Sequence, residues 1–237
     1  MVRFPLAVLI PAYNEGPRLV GTLTELGRFM SEHGWRGDAV VVDDGSRNAV
    51  DRASLPRLPN LRVHLLRHPI NLGQGGALQT AVDFARDHLG AETFVTLDAD
   101  GQHAPSDMPR MIHALESADI VFGSRFAGVE SATMPSSRRL LLRAARTFER
   151  ALTGLRLTDA HNGYRAFNRA TASVLALRQN RMAHATEFKQ TVARHRLRYA
   201  EVPVQVTYSD ETLAKGQRNT GSLMILRDLL RAYLFNG

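Results

Sequence analysis

Short apolar runs and amphipathic stretches alternate along the first half of the 237-residue chain. Short apolar runs bounded by turn-forming residues are typical of buried strands, whereas apolar positions spaced three or four residues apart are typical of helices. The pattern predicts strands at residues 6–10, 39–42, 61–66, 93–97 and 120–122, a loop at 11–17, and helices at 19–30 and 77–88. Strands that alternate with helices in this way indicate an α/β fold with a mostly parallel sheet.

The second half of the chain has a different pattern. A helix is predicted over residues 136–152, and four arginines share one of its faces: Arg139, Arg143, Arg146 and Arg150. Residues 199–208 alternate as a strand does, and Pro203 favours a position at the edge of the sheet. Residues 219–237 predict an amphipathic helix, with leucines on one side and charged residues on the other.

Composition narrows the choice of chemistry and of partners. The chain has no cysteine, which excludes disulfides, zinc–thiolate sites and cysteine nucleophiles. Its net charge is +7, and Lys189 and Lys215 are its only lysines, so arginine carries most of the positive charge. Arginine binds phosphate as a planar fork, which favours partners that carry phosphate, although an arginine-rich genome leaves the same signature. We expect neither a signal peptide nor a membrane-spanning helix.

Acidic residues follow three of the predicted strands, and the carboxyl ends of parallel strands meet at one edge of a sheet. The segments are 11–15, 43–46 and 98–103, and their carboxylates belong to Glu15, Asp43, Asp44, Asp98 and Asp100. Open α/β sheets bind their ligands at this edge. We therefore expect the five carboxylates to converge on one site.

Asp98 and Asp100 form the strongest candidate for a metal site. Side chains two residues apart on an extended chain point the same way, and two such carboxylates repel each other unless a cation lies between them. Mg²⁺ or Mn²⁺ suits oxygen ligands of this kind. The alternative is that the pair caps the next helix or turn. The pair follows a predicted strand and lies beside two other acidic strand ends, and this position favours the interpretation as a metal site.

The other polar segments allow two interpretations each. Asp43 and Asp44 either form a turn or accept hydrogen bonds from a base or a ribose. Glu15 either does the same or stabilises a helix N-terminus. The glycine-rich segment 71–77 is either a phosphate-binding turn or a turn that lets its helix pack closely.

Together these segments resemble the family 2 glycosyltransferases, and most closely their dolichyl-phosphate mannosyltransferase-like branch. The matching segments are 8–15, 41–46, 71–73, 97–103, 123–126, 159–165 and 201–204, in the family's order. The resemblance implies a fold of the GT-A type, in one domain over residues 1–218. Residues 1–125 would be its Rossmann-like, nucleotide-sugar-binding half and residues 126–218 its acceptor half, followed by the helix at 219–237.

The resemblance also implies an activity and assigns residues to it. We expect an inverting transfer of a sugar from a nucleotide-diphosphate sugar, with Mg²⁺ or Mn²⁺ held by Asp98 and Asp100. The donor and the metal would be bound by Pro11, Tyr13, Glu15, Asp43, Asp44, Asn71, Asp98, Ala99, Asp100, Gln102 and Arg218. Arg125 and Lys215 would neutralise the departing diphosphate. Asp159 would be a base for a hydroxyl acceptor, or else a partner for an arginine or a helix cap.

The acceptor is expected to be a polyprenyl phosphate at a membrane surface. A hydroxyl acceptor of polysaccharide synthesis and a non-catalytic nucleotide-sugar-binding relative are the alternatives. The branch usually has Ser-Gly-Phe where this chain has Asn162, Gly163 and Tyr164, and its late loop also differs at 214–217, which leaves the sugar and the acceptor open.

The arginine face and the C-terminal helix suit a membrane surface or a membrane-protein partner. Two other interpretations explain these features equally well. The arginine face would be exposed to solvent, and the C-terminal helix would pack on the domain or on a second copy in a homodimer. We expect a cytoplasmic protein, either free or peripheral on the cytoplasmic face of a membrane, and no nucleic-acid partner, because clustered exposed aromatic residues are missing. A nucleotidyltransferase is disfavoured because no lysine-bearing glycine loop follows the first strand.

Overall fold

The structure is a computed structural model that describes residues 5–127, 150, 154–159, 162–178 and 183–206. The strands in these residues are β1 (Leu6–Ala12), β2 (Gly37–Asp43), β3 (Leu61–Arg67), β4 (Thr93–Thr96), β5 (Ile120–Ser124), β6 (Arg165–Asn168) and β7 (Tyr199–Pro203). The helices are α1 (Gly16–Glu32), α2 (Gly73–His88), α3 (Met108–Ala114), α4 (Arg169–Val174) and α5 (Ala183–His195).

The strands form one seven-stranded sheet in the order β3-β2-β1-β4-β6-β5-β7. All neighbours are parallel except for the two pairings of β6, which is antiparallel to both β4 and β5. The carboxyl ends of the other six strands and the amino end of β6 therefore lie along the same side of the sheet, which we call the carboxyl edge. The prediction of a mostly parallel α/β sheet is confirmed.

The core consists of two apolar layers, one on each face of the sheet. Side chains alternate between the faces of a strand. On β1, Val8 and Ile10 pack in a cluster with the apolar side of α1 and with α3. Leu9 packs on the other face in a cluster with α2 and α5. Because β1 is covered on both faces, its side chains form the continuous apolar run from which a strand is predicted.

The strands and helices predicted within the described residues are present. Most are longer than the apolar pattern gives, but β4 ends at Thr96 instead of Leu97, and the strand predicted at 199–208 ends at Pro203. The loop predicted at residues 11–17 is wrong in extent, because Pro11 continues β1 in register with Val42 and α1 already begins at Gly16. Pro17 lies in the first turn of α1, where a helix does not need a backbone N–H. The sequence pattern missed β6, α3, α4 and α5. Three of them are short, and α5 carries buried polar residues such as Lys189.

Several predictions concern residues outside those described. These are Lys215, Arg218, the helix at 219–237 and the arginine face, of which only Arg150 is described, as an exposed helical residue. The predicted edge strand is confirmed as β7, the last strand of the sheet. None of the helices in the described part of the chain is long and apolar enough to cross a membrane.

Asp119 ties three strands together at the side of the sheet opposite to the carboxyl edge. Its carboxylate accepts hydrogen bonds from the Arg198 guanidinium at 2.8 Å, from the Arg198 backbone N–H at 2.9 Å and from the Asn168 amide at 3.2 Å. The hydrogen bonds from the Arg198 side chain are the main reason why the pKa of Asp119 falls to about 2.

We expect Asp119→Asn to destabilise the protein by an amount that depends on pH. A carboxyl group whose pKa is lowered on folding stabilises the folded state above its unfolded pKa of about 3.9. That stabilisation is lost as the pH falls toward the folded value of about 2. Urea unfolding at pH 7, 4 and 3 should show that the difference between wild type and variant shrinks below pH 4. A difference that is constant with pH would contradict this account.

Candidate functional site

A cleft of about 460 Å³ opens at the carboxyl edge, where β1, β2 and β4 end. It is lined by Pro11, Ala12, Tyr13, Glu15, Asp44, Asn71, Gly73, Gln74, Ala77, Asp98, Ala99 and Asp100. The structure thus brings together most of the residues that the sequence predicts to bind the donor. The three acidic strand ends meet, although Asp43 lies behind the cleft rather than in its wall.

Asn14 locks the loop after β1 to the loop after β2. Its φ of 58° lies in the left-handed region, which asparagine tolerates better than most residues. Its backbone N–H donates to Ser46 Oγ at 2.9 Å, and its side-chain oxygen accepts from the Arg47 N–H at 3.0 Å. The residues on either side of Asn14 line the cleft. Tyr13 is 44% exposed there, and the Glu15 carboxylate forms an ion pair with Arg18 at 2.9 Å.

Asp43 is fully buried and organises the loop after β2. One carboxylate oxygen accepts from the Ser46 N–H and the other from the Val50 N–H, both at 3.0 Å. Burial acts to raise the pKa of Asp43, but the hydrogen bonds from Ser46 and Val50 outweigh it and the pKa lies below its usual value. The ionised side chain is therefore held by its own loop, and it acts on the cleft by shaping that loop.

Asp44 reaches the cleft and also fixes the start of α2. It accepts hydrogen bonds from the backbone N–H groups of Leu72 at 2.9 Å and Gly73 at 2.7 Å, and His68 Nδ1 lies 2.7 Å away. These two amides at the start of α2 are thus already occupied, which favours the packing turn over the phosphate-binding turn. A Cβ at Gly45 would lie 2.5 Å from the backbone of Ile70, so the two loops meet only because residue 45 is glycine.

Asp98 and Asp100 are held on the loop after β4. Asp98 accepts from the Gln74 side chain at 3.0 Å, and Asp100 accepts from the Gln102 N–H at 3.0 Å. Burial raises the pKa of Asp100, and the charges of Asp98 and Glu15 raise it further, against the opposing effects of the Gln102 N–H and His103. The ionised form of Asp100 is therefore destabilised, first by burial and then by its acidic neighbours.

These residues fit a hard divalent cation. Ionised carboxylate oxygens are its preferred ligands, and a cation would offset both the burial and the acidic neighbours that raise the pKa of Asp100. Within the described ranges, no group of three or more acidic, histidine or cysteine side chains has the geometry of a complete metal site. A cation here would take its remaining ligands from phosphate oxygens and water.

The segment before β6 packs against the back of the Asp98 loop. A Cβ at Gly163 would lie 2.7 Å from Asp98 Oδ2, so only glycine fits there. Tyr164 stacks on His103 with ring centroids 4.9 Å apart, and its hydroxyl donates to the Ala104 carbonyl at 3.1 Å. The tyrosine that replaces the usual phenylalanine of the branch thus adds a hydrogen bond to this loop.

Arg125 and Asp159 form an ion pair at the carboxyl end of β5, in which Asp159 is buried and Arg125 is partly exposed. Arg125 Nε lies 2.7 Å from Asp159 Oδ2, and Nη2 lies 2.9 Å from Oδ1. The Asp159 side chain is also fixed by the Arg125 backbone N–H at 3.1 Å. Neither residue is among those that line the cleft, and neither is Gln102. Of the two interpretations of Asp159, the structure shows the partner of an arginine; its role as a base stays a prediction.

Sequence reasoning assigned no role to two residues whose side chains interact with Asp98, one by a hydrogen bond and one by charge. One is Gln74, which donates to Asp98. It belongs to the glycine-rich segment 71–77, which the sequence analysis considered only as a turn. The other is Arg165, which begins β6 and is 2% exposed. An arginine at the start of a very short apolar run looks like a surface residue in the sequence, and only the antiparallel insertion of β6 buries it.

Comparisons with known proteins agree with this geometry. The family model described as "Glycosyl transferase family 2" matches residues 7–175. The undecaprenyl-phosphate mannosyltransferase of Micrococcus luteus is 31% identical over 90% of this chain and 87% of its own. The UDP-N-acetylglucosamine–dolichyl-phosphate N-acetylglucosaminyltransferase of Methanococcus voltae is 30% identical over 88% of each chain.

Solved structures show the same fold. Glucosyl-3-phosphoglycerate synthase from Mycobacterium tuberculosis, in complex with Mg²⁺ and uridine diphosphate, superposes with a TM-score of 0.61 over 97% of this chain and 79% of that one, at 20% identity. The fold is therefore of the GT-A type, as predicted. The family model covers most of the chain, and the cleft carries the acidic strand ends from which the resemblance starts, so this protein belongs to glycosyl transferase family 2.

Proposed function

We propose that this enzyme is an inverting glycosyltransferase that moves a sugar from a nucleotide-diphosphate sugar to a polyprenyl phosphate, with the help of Mg²⁺ or Mn²⁺. The observation that carries the proposal is the cleft at the carboxyl edge, where Asp98 and Asp100 lie beside Asp44 and Glu15. A polyanionic donor can enter such a site only with a cation, and the rest of the wall offers the size and the hydrogen-bonding groups of a nucleotide site.

The names of two relatives support the acceptor. Both the Micrococcus luteus and the Methanococcus voltae enzymes are named for transfer to a polyprenyl or dolichyl phosphate, and each is about 30% identical to this chain over most of its length. A phosphate acceptor also agrees with the partly exposed cation at the end of β5, Arg125. The departures at Asn162 and Tyr164 leave the choice of sugar to experiment.

The reaction would be a single displacement at the anomeric carbon. An oxygen of the acceptor phosphate forms the new bond, while the bond from the anomeric carbon to the donor's β-phosphate oxygen breaks and the nucleoside diphosphate leaves with the electron pair. Because the acceptor phosphate is already an anion, the step needs no strong base. The protein's work is to align the two phosphates, exclude water and stabilise charge.

Asp98 and Asp100 would hold the metal ion, whose chemistry when bound is to neutralise charge on the departing diphosphate. Tyr13, Pro11, Asp44 and Asn71 would bind the nucleoside and its ribose, since they line the part of the cleft next to the ends of β1 and β2. The structure holds Asp43 behind them, where it would act through the loop.

Arg125 would face the phosphates, and Asp159 would fix its orientation through the bidentate ion pair. A role for Asp159 as a base is retained only for a hydroxyl acceptor. Lys215 and Arg218, from the late part of the chain, are proposed to close over the donor. We also propose that the enzyme works at the cytoplasmic face of a membrane, where its lipid acceptor lies.

Removing the two metal-binding carboxylates should abolish transfer. With a labelled nucleotide sugar and a polyprenyl phosphate in detergent micelles, we expect Mn²⁺-dependent formation of an acid-labile glycolipid. Asp98→Asn with Asp100→Asn should lower the rate by at least about 100-fold, because charge at the leaving diphosphate is no longer neutralised.

Glu116→Gln is the matched control, since Glu116 is an exposed carboxylate at the surface. It should retain a rate within about twofold of the wild type, as surface substitutions usually do. Transfer that persists in EDTA and in the double variant would contradict the metal-dependent proposal. Transfer only to hydroxyl acceptors would contradict the phosphate acceptor.

The Arg125–Asp159 pair gives a test of the role of Asp159. Arg125→Ala should lower transfer to polyprenyl phosphate by about 10- to 100-fold, because a charge-assisted contact to phosphate is lost. If Asp159 acts only by orienting Arg125, then adding Asp159→Asn to Arg125→Ala should change the rate by less than about threefold. A base would add its own factor of about 10²–10⁴. Thermal unfolding of each variant checks that it is folded.

A further inference from the structure

Arg165 is a buried cation in the middle of the carboxyl edge. As the first residue of β6, it lies in register between Thr96 of β4 and Phe122 of β5. The metal-binding loop begins two residues after Thr96, and Arg125 follows three residues after Phe122. The side chain of Arg165 therefore starts from a point between the donor carboxylates and the Arg125–Asp159 pair.

The guanidinium of Arg165 is poorly satisfied for a buried charge. Its one hydrogen bond within the described residues is a long one, 3.4 Å from Nη1 to the Gly163 carbonyl, and its Nε is buried with no partner. The guanidinium carbon lies 4.6 Å from the centroid of the Phe188 ring, a favourable but weaker contact. In the described part of the chain the guanidinium forms no ion pair.

A buried arginine of this kind costs stability, so its charge calls for an explanation. Burial lowers the pKa of Arg165 to about 10, while the charges of Asp98 and Asp159 act in the opposite direction, and the side chain stays charged at neutral pH. Asp98 and Asp159 are therefore the acidic residues whose charges stabilise the charged guanidinium. Gly163, whose carbonyl it contacts, packs directly against the Asp98 carboxylate.

We propose that Arg165 is a positioning residue that balances the charge of the site. Its positive charge lowers the affinity of Asp98 and Asp100 for a divalent cation and raises the affinity of the cleft for diphosphate. The inference rests on the proposed function, since it assumes that these carboxylates hold the metal. A metal held less tightly leaves with the nucleoside diphosphate after transfer. The fixed positive charge of Arg165 also offsets the repulsion between the donor phosphates and the acidic cleft.

The test compares two affinities that a charge moves in opposite directions. In metal-free protein, Mn²⁺ binding is measured by electron paramagnetic resonance, and binding of inorganic pyrophosphate in EDTA is measured by calorimetry. For Arg165→Met we expect Mn²⁺ to bind about three- to tenfold more tightly and pyrophosphate to bind more weakly by a similar factor, as Coulomb's law at an intermediate dielectric constant implies. A purely structural role of Arg165 would weaken both.

Two further variants separate charge from packing. Arg165→Lys keeps the charge and should leave both affinities within about twofold of the wild type. Arg28→Met removes an exposed arginine of α1 with the same change of net charge, and it too should stay within about twofold, because distant surface charges are screened. Arg165→Gln replaces Arg165→Met if the methionine variant does not fold.

The outcomes are distinguishable. Tighter Mn²⁺ with weaker pyrophosphate in a neutral variant, and neither change in Arg165→Lys, supports the inference. Unchanged or weaker Mn²⁺ binding in a folded neutral variant overturns it while leaving the proposed function intact. If no neutral variant folds, a shift of more than about threefold in either affinity for Arg165→Lys overturns it, because the retained charge should suffice. Wild-type protein that binds no Mn²⁺ refutes the metal site and this inference together.

Discussion

The gathering of partly buried carboxylates at the carboxyl edge is the constraint on which the rest of the site depends. Parallel strands bring Glu15, Asp44 and the Asp98 loop to one cleft, and the charges of Asp98 and Glu15 add to burial in raising the pKa of Asp100. The fold satisfies Asp44 with two backbone amides at the start of α2. In the described residues, Asp98 accepts a hydrogen bond from the Gln74 side chain and Asp100 accepts one from the Gln102 N–H. These carboxylates are less fully hydrogen-bonded than Asp44, so a cation is favourable beside them.

The antiparallel strand β6 supplies the opposite charge. It enters the sheet between β4 and β5, so that its first residue, Arg165, is buried. The end of the neighbouring strand β5 carries Arg125 with its partner Asp159. The cleft carboxylates thus lie where β1, β2 and β4 end, and the two arginines lie toward β5 and β6. A donor whose diphosphate crosses from the metal to the arginines would have its charge balanced at both ends.

The sequence predicted the parallel part of this fold well, because β1, β2 and β4 are covered on both faces and show as uninterrupted apolar runs. It also predicted that the acidic strand ends converge. It could not predict that both oxygens of the Asp43 carboxylate accept hydrogen bonds within their own loop. The hydrogen bonds from Ser46 and Val50 depend on the conformation of that loop. Nor could it predict the burial of Arg165, which follows from the tertiary pairing of a four-residue strand.

The central claim is that the cleft binds a nucleotide diphosphate together with a metal ion. The most direct measurement is the thermal unfolding midpoint in a panel of nucleoside diphosphates, with and without Mn²⁺, for the wild type and for Asp98→Asn with Asp100→Asn. A ligand that binds only the folded protein raises the midpoint by mass action. We expect one nucleotide to stabilise the wild type only when Mn²⁺ is present, and to leave the double variant unchanged. No stabilisation by any nucleotide, or equal stabilisation of the double variant, would contradict the account.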